Sequence, residues 1–159
     1  MQLLASEEYG LRCLLRVAAA DPGCPVSISQ IAEAEGLSPE YTAKLMRELR
    51  LGELVRSVRG ADGGYRLVRP ASETSVWSAL QVLGGDFFSE RFCECHPGQR
   101  ACCVRSNDCS LRALWRTVHL TLRATLERIS LADLRRDERA MSAWLDPRTL
   151  AEIPQGDPS

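Results

Sequence analysis

Five of the chain's seven cysteines, Cys93, Cys95, Cys102, Cys103 and Cys109, fall in the single stretch between Phe92 and Ser110. Thiols at that density suit a soft metal, an iron–sulfur centre or disulfide chemistry. Small disulfide-stapled domains spread their cysteines over the whole fold, whereas only Cys13 and Cys24 lie elsewhere here and the count is odd. A soft-metal or iron–sulfur site fits better, because several thiolates must converge on one centre and an irregular segment lets them do so. The spacing Cys95-x7-Cys103-x5-Cys109 leaves three sulfurs able to fold around one cluster, with Cys93 and Cys102 as neighbours that either substitute in one assembly state or stay spare. Zinc and a redox disulfide remain the alternatives for these three.

The other candidate ligands read differently. Cys13 lies among apolar residues and is expected in the core, since free cysteine buries readily, and Cys24 beside Pro25 reads as a loop residue. His96 adjoins Cys95 within reach of a metal, yet a histidine in a polar loop is ordinarily solvated. His119, near the apolar stripe of a long helix, is expected to be packed and hydrogen-bonded. Enzymatic thiol chemistry finds no Cys-x-x-Cys motif and no histidine placed as a base, so the chain does not read as an enzyme.

The elements that must carry the loop are legible. Ser6, followed by Glu7 and Glu8, predicts the cap of a first helix that ends at Asp21-Pro22-Gly23. Ser27 with Gln30 forms a capping box for a second helix stopped by Gly36. Ser38 and Pro39 start a third, in which Tyr41, Leu45, Met46 and Leu49 recur at helical spacing as far as Leu51. Two short helices around a glycine turn outline a helix-turn-helix. Strand-like runs at Leu54–Ser57 and Tyr65–Val68, flanking a tip with Gly60, Gly63 and Gly64, add a β-hairpin. The fold class is therefore mainly α with a small β-hairpin wing, a winged helix-turn-helix.

Ser75 then caps a short helix that stops at Gly84-Gly85. From Leu111, the residues Leu114, Trp115, Val118, Leu122, Leu126 and Ile129 form one apolar stripe of a long helix. Such a stripe outside a winged-helix core predicts pairing with a second copy of the chain. The expected organisation is a DNA-binding domain over 1–85, a cysteine-rich loop over 86–110, a dimerisation helix and short terminal helix over 111–140, and a loose tail over 141–159.

Composition limits the rest. The chain is 45% apolar and 26% charged, ordinary for a globular protein of 159 residues. No basic leader precedes a continuous apolar core, and no stretch approaches a membrane span, so cytoplasmic residence is expected, where thiols stay reduced. The net charge of −1 is unevenly placed. Residues 39–69 hold seven basic against four acidic side chains, while the first 38 hold two against five. A basic segment in a neutral protein predicts one face for a polyanion, although a solvated charged helix has the same composition.

Several stretches together resemble the IscR, NsrR and RirA group of winged-helix iron–sulfur regulators. They are Ile31-Ala32-Glu33 leading to Leu37-Ser38-Pro39-Glu40-Tyr41, Leu54-Val55-Arg56-Ser57-Val58-Arg59-Gly60, and Gly63-Gly64-Tyr65-Arg66-Leu67. The cysteine loop running into Ala113-Leu114-Trp115 and the later Ile129-Ser130-Leu131-Ala132-Asp133-Leu134 extend the resemblance from Met1 to about Leu134. It implies a homodimer in which three loop cysteines and a fourth, non-cysteine ligand hold a 2Fe–2S or 4Fe–4S cluster. The IscR type uses a histidine three residues after the last cysteine, where this chain has Arg112, which has no lone pair to give. The NsrR type takes a carboxylate from the first helix of the partner subunit, and the matching position is Glu8. An acid in a helix's first turn is also favourable without any metal.

On DNA, the N-terminal part of the third helix is expected in the major groove. Glu40, Tyr41, Ala43 and Lys44 are the candidates for base edges, Arg47 and Arg59 suit phosphate or minor groove, and Ser38 and Gly60 complete the expected DNA-binding set. Tyr41 is equally a candidate for the space between helices, and Arg56 and Arg66 for strand residues in solvent. The expected function is a DNA-binding regulator, a repressor, acting as a homodimer on a palindromic operator. Its cluster would sense iron, nitric oxide or redox state, with no membrane or small-molecule substrate involved. The alternative is a constitutive winged-helix protein with a structural zinc.

Overall fold

Serine caps set the starts of the second and third helices, and the first begins differently. The structure, a computed structural model, describes residues 3–145 apart from 22, 61–62, 90–91, 97, 100–101 and 106–107. The first helix, α1 (Ala5–Ala19), does not start at Ser6. Its N-cap is Leu4, whose backbone N–H donates to the Glu7 carboxylate at 2.6 Å, so the helix is fixed by an acid at its third position and starts before the serine. Helix α2 (Ile28–Glu35) has the reciprocal Ser27–Gln30 box, at 2.8 and 3.3 Å, and ends on Gly36 at φ 65°. Helix α3 (Pro39–Leu51) is capped by Ser38, whose hydroxyl accepts from the Tyr41 N–H at 3.2 Å.

The hairpin strands are β1 (Val55–Val58) and β2 (Gly64–Leu67), antiparallel, with Val55 opposite Leu67 and Val58 opposite Gly64. Of the expected turn glycines, Gly60 has φ 124°, but Gly64 serves a different end. Tyr65 exchanges two backbone hydrogen bonds with Val26, at 2.8 and 2.9 Å, which lays the chain before α2 along the free edge of β2. A Cβ at Gly64 would lie 2.5 Å from the Val26 carbonyl oxygen, a backbone atom that cannot step aside. Gly64→Ala is therefore expected to cost about 1–3 kcal/mol of unfolding free energy in a denaturant titration, as overpacking does.

Cys13, Leu14, Ile31, Leu45, Met46, Leu49, Val55 and Leu131 are fully buried at the centre, where α1, α3, the hairpin and α4 (Val76–Gly84) meet. One turn of helix, α5 (Phe92–Cys95), forms within the cysteine loop, where the sequence suggested only irregular chain. The long helix α6 (Ser110–Glu127) ends sooner than the apolar stripe does. Ile129 belongs to the return segment, where its carbonyl accepts from the Val76 N–H at 2.7 Å and Leu131 donates to Thr74 at 2.9 Å. Ile129 and Leu131 are thus core residues. A last helix, α7 (Glu138–Trp144), runs past residue 140 into the expected tail, and residues 146–159 lie outside the described ones.

Candidate functional site

Two surfaces carry the residues that the sequence singles out. On α3, Thr42, Leu45, Met46 and Leu49 face the core, which turns the opposite face outward. Glu40, Lys44 and Arg47, three to four residues apart, are exposed on that outer face, together with Ser38 at the helix start. Ala43 is half-buried. Tyr41 is also half-buried and packs edge-on against Tyr9 of α1, ring centroids 6.1 Å apart, so its ring fills the space between helices. Arg59 and Gly60 are exposed where β1 leaves the sheet.

The second surface is the loop and its neighbours. All seven cysteines are free thiols. Cys95 and Cys102 are exposed, while Cys93, Cys103 and Cys109 are half-buried. Cys109 is the N-cap residue of α6, and its sulfur makes no capping hydrogen bond. The donor set suits a thiolate-bound cluster, since soft cysteine sulfurs are its usual ligands. No three cysteine, histidine or acidic side chains stand close enough to hold a metal among the described residues, so the loop does not gather Cys95, Cys103 and Cys109. His96 is exposed and stacks on Phe92 at 4.3 Å, its Nδ1 3.0 Å from the Phe92 carbonyl.

Cys13 behaves as the core residue expected. It is fully buried, and burial pushes its thiol up to about 11. The neutral thiol is thus the form that the fold favours, and the stability it lends is present below the ordinary thiol range and lost as pH rises through about 11. Native-state alkylation near pH 8 is expected to mark the loop cysteines and Cys24 while sparing Cys13, as peptide mass mapping would show.

Glu7 and Glu8, adjacent in sequence, have different surroundings. Glu7 caps α1 and packs against Gly84, whereas Glu8 is exposed and lies one turn before Arg12, which it attracts. Arg12 and Arg16 both reach the Glu35 carboxylate of α2, at 2.8 and 2.5 Å, and Arg12 also lies over the Tyr9 ring, 5.4 Å from its centre. This clasp between α1 and α2 went unread in the sequence, since it depends on how two helices are placed relative to each other.

Helix α6 buries no residue fully. Val118, His119, Leu122 and Leu126 are half-buried, His119 edge-on to Trp77 of α4 at 5.4 Å. Its Nδ1 is buried without a hydrogen-bond partner among the described residues, so the histidine is packed, but the expected bond at that nitrogen is absent. Leu111, Leu114 and Trp115, at the end adjoining the cysteine loop, remain 43–53% exposed. No helix among the described residues is long and apolar enough to cross a membrane.

A family model described as "Rrf2: Iron-dependent Transcriptional regulator" matches residues 4–137. The protein rrf2 of Nitratidesulfovibrio vulgaris is 35% identical over 137 residues, 86% of this chain and 89% of that relative. Among solved structures, CymR, the global cysteine regulator of B. subtilis, is similar with a TM-score of 0.68 and 25% identity, covering 86% of this chain and 99% of its own. IscR of T. potens is similar with a TM-score of 0.66 and 28% identity, covering 98% of this chain and 94% of its own.

Proposed function

The chain belongs to the Rrf2 family of transcriptional regulators, and from that premise we propose that it is a cytoplasmic repressor whose grip on a palindromic operator is set by an iron–sulfur cluster. It is a DNA-binding regulator and not an enzyme, as its family and relatives are. The proposal concerns what governs the binding. Cys95, Cys103 and Cys109 are the proposed ligands, completed by Glu8 of the partner subunit in a homodimer that pairs through α6.

The observation that carries this reading is the position of Cys109. It is the residue on which α6 begins, and the exposed apolar patch of Leu111, Leu114 and Trp115 lies within the next two turns. A pull on the Cys109 sulfur therefore acts directly on the helix that pairs the subunits. The free thiols and the exposed Glu8 provide donors without disturbing any hydrogen bond that supports the fold.

When bound, the cluster supplies metal–ligand bonds that tie the loop of one subunit to α1 of the other, bonds that iron loss or nitrosylation removes. Tyr9, next to Glu8, touches Tyr41 near the start of α3, and α1 packs along α3. The orientation of α1 in the dimer thus bears on the recognition helix. With the loop ordered, the two α3 helices keep a spacing that matches one turn of duplex, and with the loop released that spacing changes. The exposed residues Glu40, Lys44 and Arg47 meet the major groove, with Arg59 and Gly60 at the minor groove or backbone.

Anaerobically isolated protein is expected to be coloured and to contain iron and acid-labile sulfide in equal amounts. Colourless protein carrying zinc alone would replace this reading with a structural metal site.

A further inference from the structure

The wing carries an electrostatic arrangement that the fold itself leaves unsatisfied. In the hairpin register Arg56 of β1 stands directly opposite Arg66 of β2. Strand alternation puts both side chains on the face away from Val55 and Leu67, which pack on the core. Side chains directly opposite in such a pair are neighbours at roughly 5 Å between Cβ atoms, and like charges there repel. Among the described residues neither guanidinium makes an ion pair or a side-chain hydrogen bond. Arg56 is exposed, but the Nε of half-buried Arg66 is shut away from solvent with no partner. A buried N–H donor without an acceptor is costly, more so on a charged group.

One anion set between the two guanidinium groups relieves their repulsion. Which anion is indicated by the surroundings: Arg59 is exposed on the same hairpin, and Lys44, Arg47 and Arg50 are exposed on α3. An excess of exposed basic side chains on the hairpin and α3 suits a polyanion, and the planar guanidinium fork matches the oxygens of a phosphodiester. We propose that Arg56 and Arg66 form a clamp for a DNA backbone phosphate, a contact on the sheet face of the wing separate from the tip at Arg59. The clamp rests on the DNA-binding reading and adds a sequence-independent anchor to it. Its side chains position the wing and read no bases.

The test uses the full-length protein, isolated anaerobically, and a mixed-sequence synthetic duplex, with affinity measured over a range of salt concentrations. Removing one phosphate contact lowers the slope of log K against log salt by about 0.9. The double variant Arg56→Ala/Arg66→Ala is expected to show that loss, to weaken binding equally on any duplex, and to melt no lower than the wild type, because a repulsion has gone. Lysine at both positions keeps the charges and is expected to restore the slope. Arg56→Ala alone, at the exposed member, gives the same readout in smaller measure should the double variant not fold. An unchanged slope, with or without a fall in melting temperature, would overturn the clamp while leaving DNA binding intact. Wild-type protein that bound no duplex at all would overturn both.

Discussion

Cys103→Ala is expected to leave the protein without iron or sulfide and with the operator affinity of the cluster-free form. Two thiolates and one carboxylate are too few to complete the proposed site, which depends on three sulfurs. The fold is expected to survive, because Cys103 is half-buried in the loop and contributes nothing to the core, which is built from α1, α3, the hairpin and α4. Circular dichroism unchanged beside an iron count near zero would show this. Cys24→Ala, an exposed thiol far from the loop in sequence, is the matched control and should retain iron in full.

The same reasoning separates the two adjacent acids. Glu7→Ala removes the acceptor of the Leu4 N–H and is expected to cost about 0.5–2 kcal/mol of stability, as loss of a helix cap does, with the cluster retained. Glu8→Ala is expected to do the reverse, leaving the melting temperature in place while shortening the lifetime of the cluster in air. A Glu8 variant with an undisturbed cluster would remove the carboxylate from the ligand set.

Leu114→Glu is expected to have the second large effect, on assembly. Leu114 is 50% exposed in a single chain, so a charge there hardly disturbs the subunit, yet in a dimer seam it must be buried or break the seam. Central interface residues cost about 2–4 kcal/mol when lost, roughly 30- to 1000-fold in dimer affinity. Size-exclusion chromatography should move to the monomer position, and operator binding should fall with it, since one reading head in place of two loses the joint grip on both half-sites. Leu120, at 51% exposure on the same helix, stands off the apolar stripe. Leu120→Glu should therefore leave the dimer intact, and equal effects of the two variants would argue against a stripe-specific interface.

The sequence carried far what is decided locally. Caps at Ser27, Ser38 and Ser75 and the stop at Gly36 depend on a side chain and a backbone group within four residues, and each stands where it was expected. Ser6 misled because the helix is already begun at Ala5, with Glu7 reaching back to the backbone N–H of Leu4. Ile129 matched the helical period, but its place is set by the hydrogen bond from Val76 at the start of α4, more than fifty residues away in sequence, and periodicity holds no trace of it. Gly64 looked like a turn residue, whereas its cause is the close approach of Val26.

The site divides along the same line. That the loop cysteines are chemically distinctive was plain from their number, whereas the common outward face of Glu40, Lys44 and Arg47 shows only once α3 is packed on the core. That Cys95, Cys103 and Cys109 stand apart among the described residues was not legible, because the sequence between them has no repeating pattern from which their positions follow. The Arg12–Arg16–Glu35 clasp and the opposed Arg56 and Arg66 likewise appear only once helices are placed and strand register is fixed.

Control of DNA binding by the cluster is tested most directly by one comparison. Anaerobic holo protein selects its duplex from random sequence, and the affinity for that duplex is then measured for the same preparation before and after the iron is stripped. The account predicts that the stripped dimer binds at least about tenfold more weakly, a difference of roughly 1.4 kcal/mol. Equal affinity in the two forms would contradict it.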